Sequence, residues 1–164
     1  MRKSIFMLFM VLSGQFLSGQ VSDLEKNVLI DIYNSAQGDH WIKKWDLNAP
    51  VSTWEGVTLE NNKVVSISLM NNNLRGSIPN SIGELKNLKV LNLALNSIGG
   101  NIPESITELK KMVVLRLGKN KLAGTIPQNI GDLEKLLVLD LFHNDLSGEL
   151  PQSLGEIKNL RVIL

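Results

Sequence analysis

Residues 85–108 read LKNLKVLNLALNSIGGNIPESITE, residues 109–132 read LKKMVVLRLGKNKLAGTIPQNIGD, and residues 133–156 read LEKLLVLDLFHNDLSGELPQSLGE. Aligned at this period of 24, they keep the same kind of residue at one offset after another. Leu85, Leu109 and Leu133 open the copies; Leu88, Met112 and Leu136 follow, then Leu91, Leu115 and Leu139, then Leu93, Leu117 and Leu141. Asn96, Asn120 and Asn144 come next, then Ile98, Leu122 and Leu146, and then Gly100, Gly124 and Gly148. Pairs of the type Ile102-Pro103 precede a last apolar position, Ile106, Ile130 or Leu154. One earlier copy, residues 61–84, fits from Val64 onward, and a fifth, 157–164, stops within its strand. Leu91 and Leu93 alternate with Val90, Asn92 and Ala94, so one strand face points inward and the other outward. A single unit of this kind cannot bury its own leucines, whereas stacked neighbours can.

The pattern L-x-x-L-x-L-x-x-N-x-L at a fixed period resembles the leucine-rich repeat family over residues 61–164. Its Gly-x-Ile-Pro extension is similar to the plant-type subclass found in receptor ectodomains and polygalacturonase inhibitors. The resemblance implies an α/β solenoid, a right-handed superhelix with a parallel β-sheet on its concave face. Within residues 21–60, the stretches Tyr33–Trp41 and Ala49–Val57 look like exported leucine-rich repeat proteins of the Bacteroidetes. The plant cap motif carries cysteines on either side of W-x-G-V; here Ser52 and Thr58 stand in those places.

Residues 1–20 predict a secretory leader. Arg2 and Lys3 precede the apolar run Ile5–Leu12, followed by Ser13-Gly14 and Ser18-Gly19-Gln20, a short run between a positive start and small residues. Cleavage near Gln20 removes two of the 17 basic residues and none of the 16 acidic ones, leaving 15 against 16. A nearly neutral chain has no basic field for nucleic acid or an anionic membrane. The apolar run is too short to span a bilayer, so no membrane span is expected after leader removal. With no cysteine in the chain, disulfides, thiolate metal sites and thiol catalysis are excluded.

Residues 21–60 read as an N-terminal cap. Ser22-x-x-Glu25 forms a capping box, Leu24, Val28, Leu29, Ile32, Tyr33 and Ala36 share one helical face, and Gly38 ends the helix. Trp41, Trp45 and Trp54 are expected to close the first turn of the solenoid, with a sugar-binding aromatic platform as the sharper alternative.

Asn72, Asn96, Asn120 and Asn144 follow each strand, where an amide can bond otherwise unpaired backbone groups, so they predict a structural ladder. Concave-face side chains form columns about 4.8 Å apart. The column Ser66, Val90, Val114, Val138, Val162 predicts packing between neighbours. Three further columns vary in type: Ser68, Asn92, Arg116, Asp140; Met70, Ala94, Gly118, Phe142; and Asn71, Leu95, Lys119, His143. Met70, Asn92, Leu95, Arg116, Lys119, Asp140, Phe142 and His143 are therefore the candidate ligand-binding set. Each has a plainer reading as well. Arg116 and Asp140 fall side by side and could pair, and Phe142 could fold over Gly118. His143 lies near Asp140 and Asp145, but no third group converges with them and Asn144 belongs to the ladder, so neither metal nor cofactor is expected.

The leading functional reading is a non-catalytic module, secreted or at the cell surface, that binds a protein or glycan through its concave face. No Gly-rich phosphate loop, H-E-x-x-H, G-x-S-x-G or cysteine nucleophile supports an enzyme. Alternatives are a structural or adhesin segment of a larger surface protein or, as the resemblance implies, a polygalacturonase-inhibitor-like or receptor-ectodomain role. The strand at 157–164 predicts either a longer solenoid or edge-to-edge self-association.

Overall fold

The computed structural model describes residues 20–164; the expected leader lies almost wholly outside them. Helix α1, Asp23–Ser35, starts at Ser22, whose side chain accepts the Glu25 N–H at 3.3 Å. The reciprocal half of the expected capping box does not form. The Glu25 carboxylate, 4% exposed, accepts the Val64 N–H at 3.1 Å and ties the helix to the first repeat strand. The helix accordingly turns Glu25 inward and leaves Leu24 57% exposed, which corrects the expected apolar face at that position. The α-helix already ends at Ser35, Gln37 takes left-handed backbone at φ 56°, and Gly38 opens a 3-10 turn, Gly38–His40. Gly38 has a different reason to lack a side chain, since a Cβ there would stand 2.3 Å from the Tyr33 ring.

The three tryptophans are buried, each 4% exposed or less. Trp45 stacks on Trp54 at 4.9 Å and meets Trp41 edge-on at 5.0 Å. Buried indoles need acceptors, and all three find backbone carbonyls within the cap. Trp41 donates to Ala36 at 2.8 Å, Trp45 to Glu55 at 2.9 Å and Trp54 to Asp46 at 2.9 Å. Rings packed in this way form a core, and the aromatic-platform alternative falls.

The cap continues into the hairpin of β1 (Val57–Glu60) and β2 (Lys63–Ser68), joined by Asn61 and Asn62. Both turn residues have positive φ, 48° and 60°, as a two-residue turn matching strand twist requires. The repeats then add β3 (Arg75–Gly76), β4 (Val90–Asn92), β5 (Ser97–Ile98), β6 (Val114–Arg116), β7 (Ala123–Gly124), β8 (Val138–Asp140), β9 (Asp145–Leu146) and β10 (Val162–Ile163). The main sheet runs β1-β2-β4-β6-β8-β10, antiparallel at the cap hairpin and parallel thereafter. Its register follows the sequence period, with Leu91 opposite Leu115 and Leu115 opposite Leu139. A second set of short parallel ladders pairs β3 with β5 and β7 with β9.

The remaining side of each coil is a short 3-10 turn: Asn80–Glu84, Glu104–Glu108, Ile130–Asp132 and Gln152–Glu156. In the described residues the α-helical part of the α/β solenoid is therefore the cap. Between sheet and 3-10 turns the leucine columns close completely: Leu85, Leu109, Leu133, Leu91 and Leu115 have no exposed surface. Cover depends on a stacked neighbour. Leu117 and Leu122 are fully buried, whereas their counterparts Leu141 and Leu146 are only partly so.

Candidate binding face

The asparagine column defines one edge of the face. Asn120 Oδ1 accepts the Ile98 N–H at 3.0 Å, while its amide donates to Leu93 O at 3.0 Å and Leu117 O at 2.9 Å. Asn144 repeats the scheme on Leu122, Leu117 and Leu141. Asn96 Oδ1 takes the N–H groups of both Asn72 and Leu74. Asn72, 2% exposed, faces the cap, where it accepts the Lys43 N–H at 2.7 Å. Carbonyls that would lie unpaired beneath the turns are satisfied in this way.

The strands end in a repeated device that periodicity alone did not reveal. Asn71, Leu95, Lys119 and His143 all have left-handed backbone, with φ between 52° and 60°. Strict alternation would turn these residues inward; the change of hand brings them out beside their predecessors. Two consecutive residues, such as Phe142 and His143 or Met70 and Asn71, are therefore both exposed. Met70 is 53%, Leu95 43% and Phe142 52% exposed, although all are large and apolar.

Asp140 and Arg116 sit in register on β8 and β6, yet they form no ion pair. Asp140 Oδ1 instead accepts the Phe142 N–H at 3.2 Å, as Asn92 Oδ1 accepts that of Ala94 at 3.3 Å. These two members of the column each close their own post-strand turn. The Asp140 carboxylate also lies over Gly118, where an added Cβ would meet its Oδ1 at 2.3 Å. Asp140, not Phe142, thus fills the gap above Gly118. Phe142 packs on His143, with ring centres 4.0 Å apart. Asp145 belongs to the separate β9 ladder, and the Asn144 turn stands between it and Asp140. Among the described residues no three His, Asp or Glu side chains gather as a metal site.

One feature lay outside the repeat pattern. Lys43 and Glu55, from the cap loops, pair at the start of the face beside a pocket of about 90 Å³ that also touches Gly56, Ser68, Met70 and Asn72. Irregular loops bring these residues together, so no spacing announces them.

A cap, a parallel sheet advancing one strand per 24 residues and an asparagine ladder define the class: a repeat solenoid presenting one extended face. A family model described as a leucine-rich repeat region matches residues 67–164, more than half of the sequence. The chain belongs to the leucine-rich repeat family. It is 39% identical over 91 residues to the leucine-rich repeat receptor protein kinase EMS1 of Arabidopsis thaliana, covering 53% of this chain and 8% of that protein. Its structure resembles the ectodomain of the Arabidopsis thaliana receptor kinase GASSHO1/SCHENGEN3, solved in complex with CASPARIAN STRIP INTEGRITY FACTOR 2. The TM-score is 0.78 at 29% identity, over 84% of this chain and 17% of that one. A plant ice-binding protein is also similar, with a TM-score of 0.77 and 27% identity over 88% of this chain and 50% of that one. The chain thus spans only a small part of the receptor kinases it matches. No helix among the described residues is long and apolar enough to cross a membrane.

Proposed function

We propose that this chain is a non-catalytic recognition module of an exported protein, binding a protein or glycan partner along the concave sheet. The observation that carries the reading is the contrast within the face. Arg116, Lys119, Phe142 and Met70 are exposed, and neither cation forms an ion pair among the described residues. The asparagines and leucines around them are committed to the frame. A frame that holds its own shape leaves such side chains available to a partner. The similarity to a receptor ectodomain solved with CASPARIAN STRIP INTEGRITY FACTOR 2 supports a protein partner over a glycan. Binding on protein and glycan arrays by the wild type, lost in the Arg116→Ala/Phe142→Ala variant, is the expected result. Binding retained by that variant would move the site to the cap or the convex side.

A further inference from the structure

The third column of the face changes abruptly in size. Met70 and Phe142 stand at its ends, more than half exposed. Between them Ala94 is 8% exposed and Gly118 is buried beneath the Asp140 carboxylate. Strand spacing places the two large side chains about 14 Å apart, three steps of the sheet. The result is a shallow trough with apolar walls and a floor of Ala94 and the Asp140 carboxylate over Gly118, on the scale of one extended chain. Arg116 lies on one flank and Lys119 on the other, the latter brought outward by its left-handed backbone. Against these two cations the trough holds one carboxylate, Asp140, which is engaged with the Phe142 N–H. Among the described residues ion pairs form between Lys43 and Glu55, Lys86 and Glu108, Lys89 and Glu60, and Lys110 and Asp132, and none of them includes Arg116 or Lys119. Asp140 stands in register beside Arg116 without pairing to it, and two cations against this one carboxylate leave the trough an excess positive charge.

Resting on the recognition reading above, the geometry points to one occupant: an extended acidic segment of a protein partner. It lays a bulky apolar side chain over Ala94 between Met70 and Phe142 and sets a carboxylate against Arg116 or Lys119. The walls supply the apolar contact and exclude water, while the flanking cations choose acidic over neutral neighbours.

The test uses blocked, extended hexapeptides with a central leucine or phenylalanine, followed at one to three positions by glutamate, glutamine or lysine. Glutamate members should bind about tenfold more tightly than glutamine members. That preference should shrink as salt rises from about 0.05 to about 0.5 M, because exposed charges are screened. Arg116→Gln/Lys119→Gln should abolish the preference without moving the thermal midpoint. Ala94→Leu, which raises the floor, should weaken glutamate and glutamine members alike. Equal binding of glutamate and glutamine peptides, lost in Phe142→Ala, would overturn the acidic occupant while the concave reading stands. Peptide binding unchanged in Phe142→Ala, Ala94→Leu and Arg116→Gln/Lys119→Gln together would overturn both.

Discussion

Asn120 and Arg116 lie four residues apart on the same turn of the same repeat, yet they do opposite things. The Asn120 column keeps one residue type in every copy, and its amides hold backbone groups of adjacent coils. The Arg116 column runs serine, asparagine, arginine, aspartate, and the arginine makes no ion pair among the described residues. A solenoid repeats whatever its coils need from one another, because every coil meets the same neighbour. Where the residue type drifts, the coils share no single demand on it. Asn92 and Asp140 refine the lesson: two different residues in a drifting column still perform one local task, closing their own turns. Variation therefore marks positions free of a duty common to all coils, not positions free of all duty, and Asp140 even covers Gly118 of the adjacent coil.

The contrast can be strained first where the frame is densest. Trp54→Ala should cost about 3–5 kcal/mol in a denaturant titration, since it removes a buried ring stacked on Trp45 and leaves a cavity. A loss under about 1 kcal/mol, ordinary for surface substitutions, would show that the cap core is dispensable. Asn120→Ala should cost about 1–3 kcal/mol by leaving the Ile98 N–H and the carbonyls of Leu93 and Leu117 without their partner. An unchanged midpoint would remove the ladder from the account of stability. Glu25→Ala should cost about as much through the buried Val64 N–H, and Glu25→Gln, which keeps an acceptor, should recover most of it. Equal losses in both variants would mean that the acceptor is not what matters there.

A smaller effect should have the opposite sign. Leu95 holds φ at 60°, a conformation that costs an ordinary side chain roughly 1–2 kcal/mol and that asparagine tolerates better. Leu95→Asn should therefore raise the unfolding midpoint slightly, whereas destabilisation would show that the exposed leucine is packing on its neighbours.

The period exposed the solenoid, the register and the asparagine ladder, because those features recur and repetition can be read without coordinates. It did not expose the left-handed backbone at Leu95, Lys119 and His143, since leucine, lysine and histidine carry no common signal for positive φ. Nor did it place the Asp140 carboxylate over Gly118: side-chain rotation decided between Asp140 and Phe142, and both were within reach. In the cap, helical spacing put Leu24 on the buried face, but the backbone N–H of Val64 attracts the Glu25 carboxylate inward. A single polar contact there outweighed the apolar pattern. The Lys43–Glu55 rim was hidden because two irregular loops create it.

The most direct measurement takes two variants through the same pair of experiments, a denaturant titration and binding to an acidic hexapeptide of the series above. Arg116→Ala/Phe142→Ala should unfold within about 0.5 kcal/mol of wild type, as surface changes do, and should lose peptide binding. Asn120→Ala should be destabilised by about 1–3 kcal/mol and, where still folded, should bind as wild type does. If the Arg116/Phe142 variant were instead destabilised as much as Asn120→Ala, or bound the peptide undiminished, the division between frame and face would be contradicted.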